Sequence, residues 1–210
     1  MRPTRPLRWV GPLRSARVRL WMAALTAVTA LTAPNIAGAQ NAPATTTALE
    51  PVASVDLERY MGRWHELARF PNRFQSDCIG PATADYSLQP GGRVQVVNRC
   101  PQAGGKVDEA IGEARRIGAV GSPKLEVRFA PAWLSWLPVV WGNYWVIDLD
   151  PAYQLAVVSE PTREYLWVLA RQPQVDAATW AALTSRLRDK GFDLSRLQRA
   201  GPAASTPSRP

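Results

Sequence analysis

The sequence predicts an all-β protein in which eight antiparallel strands form an up-and-down barrel, with one C-terminal α-helix packed on its outside. Eight apolar or alternating segments follow one another with short turns between them. One amphipathic segment follows the last of them. In addition, the motif Gly62-Arg63-Trp64 opens the first strand and Arg171 ends the last. The guanidinium can then lie over the indole and close one end of the barrel.

The eight strands are predicted from the period-two alternation of side chains and from one nearly continuous apolar run. They cover residues 64–70, 82–88, 93–98, 109–119, 124–129, 143–149, 153–159 and 165–171. A helix is predicted after them, because Asp176 is a good N-cap, Leu183 and Leu187 continue one apolar stripe, and Gly191 is a suitable stop. We expect the stripe to pack against the barrel wall.

Residues 1–39 have the pattern of a cleaved secretory signal peptide. Six arginines are followed by an apolar run at residues 20–33, and Ala37-Gly38-Ala39 fits the cleavage site. An uncleaved membrane anchor is disfavoured, because the run of about 14 residues is shorter than the ~20 that span a bilayer. The full chain carries a formal charge of +8, but without these six arginines 19 basic residues face 17 acidic ones. The basic character therefore does not indicate nucleic-acid binding.

The rest of the chain is expected to contain a single domain at residues 55–200. Residues 40–54 are rich in Ala, Thr and Pro and predict a flexible linker, and residues 201–210 predict a disordered tail. Cys78 and Cys100 are the two cysteines, and an exported chain favours a disulfide between them. If Leu88 faces Val94, this pair lies near the open end of one hairpin; two reduced thiols are the alternative.

Four segments together resemble the lipocalin family, and within it the bacterial Blc group that is similar to apolipoprotein D and to plant temperature-induced lipocalins. The resemblance covers about residues 55–200, and its segments are residues 55–70, 83–88, 144–153 and 165–171. It implies that the closed end is built from Gly62, Trp64, Asp148, Asp150, Tyr153 and Arg171. Bacterial relatives are commonly lipoproteins, but no acceptor cysteine follows the signal in this chain. We therefore expect no lipid anchor.

Strand parity predicts which side chains face a barrel cavity. Leu125, Val127 and Phe129 alternate with charged neighbours, and Glu66 and Ala68 share the parity of Trp64. Tyr86 and Tyr144 could supply hydroxyl groups to a polar ligand head. The alternative is that these side chains fill the barrel, as in many small barrels.

The loop between the fifth and sixth predicted strands is unusually apolar. Its candidate rim residues are Trp133, Leu134, Trp136, Leu137 and Trp141. Contiguous apolar side chains on a loop mark an interaction site, and tryptophan suits a water–lipid boundary. Three alternatives stay open: the loop lines the pocket, dips into a membrane, or packs as a lid on its own barrel.

The resemblance implies a carrier of a small hydrophobic ligand, such as a fatty acid or lysophospholipid, in lipid transport or maintenance of the cell envelope. The alternative is a membrane- or protein-interaction module with a filled barrel. No catalytic residue, metal site or cofactor is expected, since His65 points away from the pocket by parity and no Cys/His cluster is present. We expect a periplasmic monomer or weak homodimer, with peripheral contact to the outer membrane.

Overall fold

The computed structural model describes residues 47–201, so the predicted signal peptide and nearly all of the predicted tail lie outside the described residues. The described elements are α1 (Leu57–Tyr60), β1 (Gly62–Arg69), β2 (Thr83–Gln89), β3 (Arg93–Pro101), β4 (Val107–Arg116), β5 (Lys124–Arg128), β6 (Gly142–Leu149), β7 (Leu155–Ser159), β8 (Leu166–Ala170), α2 (Ala177–Asp189) and β9 (Gln198–Arg199).

Strands β1 to β8 form the predicted closed, antiparallel up-and-down barrel. Each strand pairs with the next in sequence, and β1 pairs with both β2 and β8. The first half of β1 forms the ladder with β2, and its second half forms the ladder with β8. The short strand β9 pairs with the end of β1. Closure removes the exposed edges that an open sheet would present.

The β2–β3 hairpin has the register that the sequence predicts, with Leu88 opposite Val94. This register carries Cys100 to the end of the hairpin, where it forms a disulfide with Cys78. The Cα atoms of the two cysteines are 5.6 Å apart. The bridge ties the β1–β2 loop to β3 and confirms the predicted pairing.

Two apolar cores lie on opposite sides of the barrel wall. The inner core includes Trp64, Val146 and Leu169. The outer core packs Leu183 and Leu187 of α2 against the outward side chains of the wall. The Asp176 side chain accepts a hydrogen bond from the Thr179 amide at the start of α2, as the predicted N-cap requires. The helix therefore packs outside the barrel, as expected.

The segment before α1 is not a flexible linker over its whole predicted length. Within residues 47–54, Leu49 is only 4% exposed and belongs to the outer core. The Val52 amide donates to the Val146 carbonyl, and Arg163 donates to the Thr47 carbonyl. Leu49 and Val52 are apolar side chains within a segment whose overall composition is rich in Ala, Thr and Pro, and both pack against the barrel. Residues 47–54 are therefore part of the folded domain.

Arg171 and Trp64 close one end of the barrel. The guanidinium carbon lies 3.9 Å from the indole centroid. Arg171 also donates to the backbone carbonyls of Arg59, Arg63 and Tyr153 at 2.9–3.2 Å. Gly62 has φ +93°, and a Cβ there would lie 3.4 Å from Nη1 of Arg171. Glycine suits this position because it adopts a positive φ without strain.

The turn between β6 and β7 completes the closed end, and one predicted member also contacts the helix α2. The Asp150 carboxylate accepts from the amides of Ala152, Gln154 and Leu155, which shapes the turn. The Tyr153 hydroxyl accepts from the Asp56 amide. Asp148, by contrast, accepts two hydrogen bonds from Arg186 of α2 and fastens the helix to the wall. Asp148 lies near the end of β6 that leads into this turn, and its contact there is with the helix.

We expect Arg171→Met to lower the free energy of unfolding by about 2–4 kcal/mol, because it removes the cation–π contact and three hydrogen bonds to carbonyls. Arg171→Lys should recover only part of this loss, since a lysine has neither the planar group nor the fork of donors. Urea unfolding followed by tryptophan fluorescence measures both changes. Equal stability of the lysine variant and the wild type would show that charge alone, not the stacked guanidinium, holds this end.

Candidate functional site

A cavity of about 720 Å³ occupies the barrel and opens at the end opposite Arg171 and Trp64. This volume lies in the range of small-molecule sites in proteins. Six of the seven predicted pocket residues line it: Glu66, Tyr86, Leu125, Val127, Phe129 and Tyr144. Leu125 is deeply buried, whereas Phe129 is 44% exposed and lies at the mouth. The barrel is therefore an open cup, not a filled core.

Ala68 is the exception, and its predicted place in the pocket is wrong. The β1–β8 ladder shifts register between Glu66 and Ala68. A bulge of this kind changes the face on which later side chains point. Ala68 therefore lies in the outer core with Val168 and Leu183. Strand parity counted from Trp64 holds as far as Glu66 and fails beyond it.

Small side chains on the wall leave the interior space unfilled. Ala84 of β2 and Ala110 and Ala114 of β4 line the cavity. At Gly112, a Cβ would approach the Phe129 ring to 2.7 Å, so the glycine lets this ring pack across β4. Small side chains at these positions give residues 109–119 only a weak apolar alternation in the sequence, and they also leave the volume of the cavity open.

Three tyrosines form the polar floor of the cavity. The Tyr144 hydroxyl lies 2.9 Å from the Tyr60 hydroxyl and 3.1 Å from the Tyr86 hydroxyl. The Tyr60 ring stacks on that of Tyr86 and packs against Trp64. Burial raises the pKa of all three phenols, that of Tyr86 to about 12. The floor is therefore neutral at physiological pH.

Sequence reasoning missed Tyr60 because it lies outside the predicted strands. It belongs to the short helix α1, whose buried residues are Leu57 and Tyr60. Their spacing of three positions places both on one face of a helix, and this spacing could have predicted that Tyr60 is buried. The indole N–H of Trp64 donates to the Tyr60 carbonyl at 2.9 Å and fixes the helix over the floor.

Glu66 is a buried acid of the wall, and both of its carboxylate oxygens accept hydrogen bonds from other side chains. It is 4% exposed and accepts from Arg69 and from Gln75, both at 2.6 Å. Gln75 in turn accepts a hydrogen bond from the indole of Trp167 at 2.9 Å. This network ties the β1–β2 loop to the wall. His65, the next residue back along β1, is not among the residues that line the cavity.

The predicted rim loop divides between the cavity mouth and the solvent. Trp141 lies at the mouth, where its ring stacks on Arg115 at 4.0 Å and its indole donates to the Ser135 carbonyl. Trp133 and Trp136 are 73% and 74% exposed. Leu134 and Leu137 of the same loop are partly buried. The loop therefore lines the mouth at one end and presents two indoles to solvent at the other.

No helix within residues 47–201 is long and apolar enough to cross a membrane. The family model for a lipocalin-like domain matches residues 55–202.

Among characterised proteins, the chain is 38% identical to temperature-induced lipocalin-1 of Arabidopsis thaliana over 161 residues, which is 76% of this chain and 85% of the relative. It is 32% identical to the outer membrane lipoprotein Blc of Escherichia coli over 176 residues, 83% of this chain and 95% of the relative. It is 29% identical to mouse apolipoprotein D over 149 residues, 68% and 74% of the two chains.

Among solved structures, insecticyanin from the tobacco hornworm Manduca sexta has the same fold, with a TM-score of 0.58 and 18% identity over 74% of this chain and 85% of the other. The chain belongs to the lipocalin family, which binds small hydrophobic ligands.

Proposed function

We propose that this protein carries a single-chain amphiphile, such as a fatty acid or lysophospholipid, inside its barrel and serves lipid transport or maintenance in the cell envelope. The observation that carries the proposal is the cavity of about 720 Å³, closed at one end by Trp64 and open at the other. Its wall is mostly apolar, with Val94, Val96 and Leu125 among the lining residues. Such a wall suits a hydrocarbon chain.

Hydrophobic burial gives a sufficient driving force for this function. Each buried methylene contributes about 0.8 kcal/mol, so a chain of ten methylenes contributes about 8 kcal/mol before the costs of ordering are subtracted. Apolar walls discriminate weakly between chains of similar length, because one methylene changes the affinity by a small factor. Broad specificity for chain length follows.

Export to the periplasm fits both the leader and the relatives. Blc of Escherichia coli is an outer membrane lipoprotein by name. In this chain Cys78 and Cys100 are joined to each other, so neither thiol is free to carry a lipid. The name of the relative supports export, and the disulfide excludes Cys78 and Cys100 as lipid acceptors.

Ligand binding is tested by native mass spectrometry and by tryptophan quenching with the protein from residue 40 onward. We expect saturable one-to-one binding of lauric acid or a lysophospholipid. Val127→Trp should weaken it about tenfold or more, because the indole occupies the cavity. The matched control, Ile111→Trp, adds an indole at an exposed position of β4 and should bind like the wild type. If neither ligand binds the wild type, the carrier function is wrong.

A membrane contact at the open end is a second proposed function, favoured by the distribution of exposed apolar side chains. Trp133, Trp136 and Val139 lie in the β5–β6 loop, and Val139 is 88% exposed. Phe74 and Ile79, both exposed, lie in the β1–β2 loop. In an up-and-down barrel these two loops share one end, so the side chains surround the mouth of the cavity. Indoles favour the membrane–water interface.

The membrane contact is tested by co-sedimentation with vesicles of phosphatidylethanolamine and phosphatidylglycerol. The double variant Trp133→Ser/Trp136→Ser should bind the vesicles about tenfold more weakly, because two indoles no longer leave water. Its affinity for lauric acid in solution should stay the same. Val120→Ser, which removes a 97% exposed apolar side chain at the closed end, is the control. Equal vesicle binding by all three proteins would refute the contact.

A further inference from the structure

The cavity floor holds three phenol hydroxyls whose hydrogen-bonding capacity exceeds what they use among themselves. Tyr144 is central and contacts Tyr60 at 2.9 Å and Tyr86 at 3.1 Å. Each hydroxyl has one hydrogen to donate. Two contacts can use only two of the three hydrogens, whichever way they are arranged. Within residues 47–201, the three hydroxyls make no other hydrogen bond to protein.

The third hydrogen is therefore available to an acceptor inside the cavity. All three rings line the cavity, and Tyr60 and Tyr86 are almost completely buried. A buried hydroxyl that donates to nothing costs free energy, because it has lost its hydrogen bonds to water. An oxygen of a ligand that reaches the floor would accept this hydrogen bond.

The floor is unfavourable for a negative charge. Burial is the largest influence on the pKa of Tyr86 and outweighs the opposing effects of the Tyr144 hydrogen bond and of Arg171, so that this pKa rises to about 12. A carboxylate in the same place would meet the same loss of hydration. Arg171 does not offset this, since it lies over Trp64 and donates to backbone carbonyls of Arg59 and Arg63.

A cation for an anionic head group lies at the opposite end of the cavity. Arg73, in the β1–β2 loop, lines the mouth and is exposed. Deeper in the wall, Arg69 is already paired with Glu66 at 2.6 Å. A carboxylate therefore has a partner at the mouth, whereas a neutral oxygen has its partner at the floor.

We infer that the floor formed by Tyr60, Tyr86 and Tyr144 binds a neutral accepting oxygen, a carbonyl or hydroxyl, of an elongated hydrophobic ligand that enters with this oxygen first. Fatty acids bind in the opposite direction, with the carboxylate at the mouth. The inference rests on the proposed carrier function and names the chemical class that the cavity prefers. It predicts long-chain ketones and alcohols as ligands that depend on the tyrosines.

The test compares four ten-carbon ligands, namely decane, 1-decanol, 2-decanone and decanoate, by displacement of N-phenyl-1-naphthylamine. The variant Tyr60→Phe/Tyr86→Phe/Tyr144→Phe removes all three hydroxyls and leaves the rings in place. We expect its affinity for 1-decanol and 2-decanone to fall roughly threefold to tenfold, the value of one neutral hydrogen bond. Its affinities for decane and decanoate should not fall. Tyr153→Phe, which removes a hydroxyl at the closed end outside the cavity, is the matched control and should change none of them.

The same change for all four ligands, or a loss confined to decanoate, would overturn the inference. If either result is found while the wild type still binds decane, the carrier function stands and only the role of the tyrosines is wrong. If the wild type binds none of the four ligands, the carrier function itself is wrong.

The wild type also allows a test without variants. The infrared carbonyl band of bound 2-decanone should lie at lower frequency than in hexane if the floor donates a hydrogen bond. A band at the hexane position would refute the hydrogen bond.

Discussion

The stacking of Arg171 on Trp64 closes the barrel and sets the position of the cavity floor. It joins the end of β8 to the start of β1, and the guanidinium also holds the carbonyls of Arg59 and Arg63. The indole beneath it donates to the Tyr60 carbonyl and packs against the Tyr60 ring. Tyr60 in turn hydrogen-bonds to Tyr144. The contact that closes the barrel therefore also positions the polar floor of the cavity.

The barrel wall is stabilised from outside as well as from its own interior. Leu183, Leu187 and Phe192 pack with the outward apolar side chains of the wall and form a second core. This core supplies burial that a small barrel would otherwise obtain by filling its interior. The inward positions of β4 can then be small, as at Ala110 and Ala114, without leaving the wall unsupported. Stability and ligand capacity are provided by opposite faces of the same strands.

Much of this fold could be predicted from the sequence, because the alternation of apolar and polar residues marks the strands and the turn residues mark where each strand ends. The register of Leu88 with Val94 follows from such patterns. The disulfide was predicted from two cysteines in an exported chain, and the Arg171–Trp64 contact from the two strand ends that a closed barrel brings together. Ala68 was misplaced because a bulge has no signature in the alternation itself. Tyr60 was missed because its role arises from three residues far apart in sequence that meet only in the closed barrel.

A crystal structure of the protein with 10-bromo-2-decanone would test both the carrier function and the direction of ligand binding, because the anomalous signal of bromine locates one end of the ligand without ambiguity. We expect one bromine peak at the mouth, near Phe129 and Trp141, with the carbonyl oxygen within hydrogen-bond distance of Tyr144. A bromine peak beside Tyr144 would contradict the proposed direction of binding. Side chains that fill the barrel, with no ligand inside, would contradict the carrier function as a whole.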